Sequence, residues 1–133
     1  MNNPAIQIRQ SLITTLKSIP NLSVYSGKPS DWINNPVYPV LIMEPKNERI
    51  EQISTPRIKY SRSWSIEIII DQIDAEDALT LLLRETFNAL GLAQQQPGFA
   101  DARLSASDVN FNLFIEQQPQ SSAVFQLTAT FIE

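Results

Sequence analysis

The chain contains no cysteine and no histidine. Without cysteine there is no disulfide and no thiolate chemistry, and the redox compartment cannot be read. Without histidine the commonest general base and the commonest metal ligand are both missing, so neither an imidazole-based nor a thiolate-based zinc site can be built. Glycine occurs three times, at Gly27, Gly91 and Gly98. These are too few and too scattered for a P-loop or a dinucleotide fingerprint. No apolar run approaches the roughly 20 residues that a membrane helix needs. The opening MNNPAIQIRQ shows no basic region followed by an apolar core, so no secretory signal is expected. Charge is short on the positive side, with 10 Lys+Arg against 14 Asp+Glu and a net charge of −4. That disfavours a general pull toward nucleic acid or anionic lipid and leaves only a local basic patch open.

What is present describes one folded unit. The 133 residues, 43% hydrophobic and 18% charged, are enough for a single core spanning 1–133 and too few for two ordinary domains. Ile8, Leu12, Leu16 and Ile19 follow helical spacing after Pro4, so a helix is expected over 4–19. "LSVY" (22–25) is a short strand, and 26–39 is a loop dense in Gly, Pro, Asn, Asp and Ser, anchored by Trp32. "VYPVLIMEP" (37–45) lacks polar alternation and reads as a strand buried on both faces. "KNERIEQIST" (46–55) is the polar arm of a hairpin projecting from the sheet.

The arm returns in "RIKYSRSWSIEIIIDQ" (57–72), the most regular stretch of the chain. Ile58, Tyr60, Trp64, Ile66, Ile68 and Ile70 take every second position, broken only by Arg62. Asp74 is the expected N-cap of a second helix, with Glu76 and Asp77 in its first turn and Gly91 closing it. After a loop at 93–101, two strands at 104–116 and 122–132 alternate apolar and polar residues around a turn at 117–122. The order is α-β-β-β-α-β-β. The fold expected is α+β, a mostly antiparallel sheet with two helices packed on one face.

Catalytic constellations are hard to find. Glu67, Asp71, Asp74, Glu76 and Asp77 cluster in sequence, but three of them sit at a helix start, where capping explains them. Ser61, Ser63 and Ser65 line one strand face without the histidine or the G-x-S-x-G elbow of a serine nucleophile. They read as a polar, solvent-side face. No enzyme activity, cofactor or metal is therefore expected.

The surface carries more information. Lys46, Arg49, Arg57, Lys59 and Arg62 fall within the hairpin, interleaved with Glu44, Glu48 and Glu51. One reading is a solubilising arm with weak ion pairs; the other is an interaction surface. Arg62 favours the second, because by parity it shares the face of Tyr60, Trp64 and Ile66. The last strand has apolar residues on both faces, with Val124 and Ile132 opposite Phe125, Leu127 and Phe131. Phe114 falls out of phase with Val109–Ile115. A monomer with helices on one side needs only one apolar face, so Phe114, Val124 and Ile132 join the basic residues as interface candidates.

The order of "PAIQIRQSLITTLKSI", "GKPSDWINNPVYPVLIMEP", a long hairpin ending in "YSRSWSIEIIID", the helix "DAEDALTLLLRETFNALG" and the closing "SSAVFQLTATFIE" resembles the tail-terminator family of long-tailed bacteriophages. Minor tail protein U of phage lambda is its best-known member, and similar small tail proteins occur in Mu-like prophages. The resemblance spans nearly the whole chain and rests on pattern and size. It implies a non-enzymatic virion protein that forms a six-fold ring of identical subunits on the finished tail tube. The implied location is the virion tail, and the host cytoplasm during assembly. The ring stops tube polymerisation and offers a surface to head-completion proteins, while DNA only passes through its lumen and no membrane is involved. An acidic chain suits that passage, since a basic lumen would hold phosphates. Two other readings are another neck or tail-completion protein, and a small-molecule-binding domain with Trp32, Tyr38 and Trp64 around a pocket.

Overall fold

The first helix starts where the sequence places it. In the computed structural model, which describes residues 3–26, 37–54, 57–91, 102–113 and 120–132, helix α1 spans Pro4–Lys17. Pro4 sits where a missing N–H costs nothing. Asn3 Oδ1 accepts from the Ala5 and Ile6 amides at 2.9 and 3.4 Å, satisfying donors the helix cannot satisfy internally. The helix stops at Lys17, two residues before the expected end, because the Ser18 hydroxyl and amide both turn back to the Thr15 carbonyl. Ile8, Leu12 and Leu16 are fully buried along one stripe.

The remaining elements are strands β1 (Ser23–Ser26), β2 (Val40–Gln52) and β3 (Ile58–Ile70), helix α2 (Glu76–Ala89), and strands β4 (Arg103–Ala106), β5 (Asn110–Asn112) and β6 (Ser121–Ile132). They form one sheet in the order β1-β2-β3-β6-β4, with β5 also paired to β6. Only β1–β2 is parallel; every other pairing is antiparallel. Both helices pack on one face, so the α+β architecture and element order expected from sequence hold.

Three expectations change. The strand expected at 104–116 is broken into β4 and β5, which lie in tandem along the outer edge of β6. At the break the Ser107 amide donates to the Gln126 carbonyl, and the Gln126 amide donates to Ser107 Oγ, both at 2.8 Å. A serine hydroxyl thus replaces a strand carbonyl. The 46–55 arm is continuous with the strand before it, and β3 stays paired to β6 up to Lys59↔Ile132. Little more than the turn therefore projects. A register shift between Pro45 and Asn47 marks a bulge, which moves residues beyond it to opposite parity.

Asp74 does not cap α2. Its backbone is left-handed, with φ 54°, a conformation Asp tolerates better than most residues. Its amide donates to the Leu113 carbonyl at 3.2 Å. Ala75 takes the N-cap position with no side-chain cap of its own. Glu76 and Asp77 do occupy the first turn, where the helix dipole favours them.

The helix-side core joins Ile8, Leu12 and Leu16 with Leu79 and Leu83 of α2 over Met43, Trp64, Ile66, Phe125, Leu127 and Phe131 of the sheet. Phe87 and Phe125 meet edge to face with ring centroids 5.1 Å apart. The opposite face carries a smaller cluster of Val40, Ile42 and Ile69, with Tyr25 and Tyr38 against it. This is why Val40, Leu41, Ile42 and Met43 are all buried, as their unbroken apolar run requires.

Candidate assembly surface

Register sorts the hairpin residues onto faces. Glu48↔Arg62, Ile50↔Tyr60 and Gln52↔Ile58 lie on the helix face, whereas Arg49↔Ser61 and Glu51↔Lys59 lie on the open face. The basic residues therefore do not form one patch. Arg62 is half-buried beside a groove of about 300 Å³ lined by Ile6, Glu48, Tyr60 and Phe131, next to the first turn of α1. Tyr60 and Phe131 stack there with centroids 5.3 Å apart. Arg62 thus sits at the rim of the core, as its parity indicates. Arg49 is exposed and Lys59 half-buried on the open face, Lys46 is exposed at the bulge, and Arg57 is exposed at the turn. Glu48 and Glu51 each lie directly across from a cation, an arrangement worth tenths of a kcal/mol to about 1 kcal/mol per pair.

Beyond its apolar end the open face is polar. Ser63 Oγ and Thr128 Oγ1 are 2.9 Å apart and Ser61 Oγ and Thr130 Oγ1 3.4 Å apart, forming a hydroxyl ladder between β3 and β6. Val124 is half-buried at one end of this face and Ile132 is 54% exposed at the other. They are separated along β6 by about 27 Å of strand. The apolar excess of the last strand is therefore two isolated spots; Phe114 lies outside the described residues. The alternative aromatic pocket does not form: Trp64 is 1% exposed within the helix-side core, Tyr38 packs on the other face, and Trp32 lies outside the described residues. Among the described residues no group of three or more acidic side chains is placed to hold a metal ion.

Glu67 lies on the open face between Ile42 and Val124. Burial raises its carboxyl pKa above the ordinary 4.5, and the nearby Glu44 raises it further. A hydrogen bond with Ser122 acts in the opposite direction. A raised folded-state pKa means that the group's contribution to stability is fully present below pH 4.5 and is lost as pH rises through the folded value. Glu67→Gln is therefore expected to raise the midpoint of urea unfolding at pH 7 and to leave it nearly unchanged at pH 4. A glutamine variant weakened equally at both pH values would contradict this assignment.

The feature that residue patterns did not reveal is a strand edge with no strand paired along it among the described residues. β1 pairs with β2 only over Val40–Met43. From Pro45 to Gln52 every residue of β2 is exposed, and among the described residues β3 is its only neighbour. The other side of the sheet ends in the exposed, short strands β4 and β5. The signal for the first edge was present in part: "SVYS" is far shorter than the strand it pairs with.

No family model matches the chain, and no curated protein matches it. Among solved structures, the fold is similar to that of a chain from the virion of a native gene transfer agent (GTA) particle. The two share 12% identity and a TM-score of 0.55, with 98% of each chain covered. At that identity the likeness is one of fold.

Proposed function

We propose that this chain is a structural protein of a phage-like particle, a tail terminator that closes into a ring on the end of the tail tube, stops its growth and presents a surface to head-completion proteins. The observation that carries the reading is a pair of sheet edges without a strand neighbour among the described residues, on a fold similar over nearly its full length to that of a virion chain. β2 runs antiparallel to β3, β3 to β6, and β6 to β4, so β2 and β4 point in opposite directions. A rotated copy can set its β4–β5 edge against the bare part of β2 and continue the antiparallel alternation. Such a contact is heterologous, and repeated contacts of that kind generate closed rings. Exposed strand edges are liabilities in a monomer, and mutual coverage removes them. The chain is proposed to catalyse no reaction, to bind no cofactor and to touch DNA only as it passes the lumen.

Arg62, at the rim of the helix-side groove, is proposed to lie at the subunit or tube contact. Arg62→Glu is expected to leave circular dichroism unchanged and to abolish the ring on tail tubes, sized by light scattering of the material they release. A variant that stays hexameric would remove the groove from the interface. A neck or tail-completion protein on the same fold is separated by electron microscopy of lysates lacking the chain. Overlong tails mark a terminator, and normal tails without heads mark a joining protein.

A further inference from the structure

We infer that the free chain pairs with a second copy of itself through the exposed edge of β2, which has no strand beside it among the described residues, antiparallel and two-fold, with Ile50 opposite Ile50. The inference rests on the register of one strand. Continuing a sheet across a two-fold axis keeps each face on its own side, so a residue can only meet one that shares its face. In β2, Arg49 and Glu51 lie on the open face, while Glu48, Ile50 and Gln52 lie on the helix face. With Ile50 on the axis, Arg49 of each copy stands opposite Glu51 of the other, and Glu48 stands opposite Gln52. Moving the axis one residue along sets Arg49 against Arg49 in one direction and Glu51 against Glu51 in the other. Like charges directly opposite are unfavourable, so of these three registers the one centred on Ile50 is favoured.

The helix face supplies the apolar part. Ile50 is 63% exposed and lies across from the half-buried Tyr60 of its own chain. Pairing produces a strip of Tyr60, Ile50 and the two equivalent residues of the second copy. The contact is short, about five residues per chain, so the pair forms in the micromolar to millimolar range rather than tightly. It uses the edge that the ring reading assigns to a neighbouring subunit, so pair and ring exclude each other there. Pairing keeps that edge covered until a tail tube is available. It does not depend on the ring: a chain that pairs but never closes a ring upholds this inference and refutes that one.

The test is sedimentation velocity of the free full chain up to about 1 mM, with circular dichroism as a folding control. Residues 49 and 51 are exposed, so charge changes there leave the fold intact. The wild type is expected to reach twice the 15.0 kDa chain mass. Arg49→Glu and Glu51→Arg, each alone, set like charges opposite one another and are expected to weaken pairing at least tenfold. An equimolar mixture of the two, and the double variant Arg49→Glu/Glu51→Arg, both restore opposite charges and are expected to pair as the wild type does. A wild type that shows no two-chain species, single variants that pair normally, or a mixture that stays monomeric would each overturn the assignment.

Discussion

Trp64→Ala is expected to destabilise the chain by about 3–5 kcal/mol, the largest effect of any single truncation in the fold. Trp64 lies in the middle of β3, the central strand, and is 1% exposed. It is flanked in register by Pro45 and Leu127 and belongs to the core shared with α1 and α2. Removing the indole sacrifices its transfer free energy and leaves a cavity that strands fixed on both sides cannot close. A domain of this size has about 5–15 kcal/mol in total, so the variant should lose roughly a fifth or more of its stability. Urea unfolding followed by circular dichroism measures it. A loss under about 1 kcal/mol would mean that the centre of the sheet is far less tightly packed than the structure shows.

The second large effect lies where the chain is tied together without secondary structure. Ser121, at the start of β6, is 0% exposed. Its hydroxyl is 2.7 Å from the Gln72 carbonyl and 2.9 Å from the Leu113 carbonyl, and its oxygen lies 3.4 Å from the Ala75 amide. One side chain therefore links the β3–α2 connection, the residue after β5 and the first residue of β6. Ser121→Ala removes the hydrogen bonds to the Gln72 carbonyl and the buried Ala75 amide, while the Leu113 carbonyl keeps the Asp74 amide, and is expected to cost about 1–3 kcal/mol. Thermal unfolding should show the loss. Hydrogen exchange should show faster opening at 72–75 than in β3, because the damage is local. A variant as stable as the wild type would mean that the node is dispensable.

These two sites differ in how far the sequence exposed them. Trp64 was legible: it sits on the apolar side of a two-residue alternation broken only by Arg62, and alternation of that length specifies both strand and face. Helical spacing placed Leu12 in the core in the same way. Ser121 was not legible, because its role is set by three carbonyl and amide groups that only the tertiary fold brings to it. Asp74 failed for a related reason. An acidic residue before a helix reads as a cap, but the backbone here enters the helix through a left-handed turn, and the Asp74 amide is committed to Leu113. The break between β4 and β5 depends on one serine hydroxyl standing in for a strand carbonyl, which alternation alone does not report.

The candidate surface was legible in composition but not in layout. The run Lys46, Arg49, Arg57, Lys59, Arg62 is contiguous in sequence, yet the pleat sends Arg62 to one face and Lys59 to the other, and the bulge after Pro45 resets the parity of β2. The bare edge from Pro45 to Gln52 is a property of strand order, and strand order is decided by long-range pairing. A short β1 beside a long β2 leaves that edge without a strand neighbour among the described residues, and the proposed contact between copies uses this edge with its counterpart at β4 and β5.

The most direct measurement is mass by light scattering, taken on the free chain at high concentration and on material released from purified tail tubes. Six copies of a 15.0 kDa chain give about 90 kDa, and tube-bound material is expected at that mass. A particle of 15.0 kDa under both conditions, with no affinity for tubes, would contradict the account.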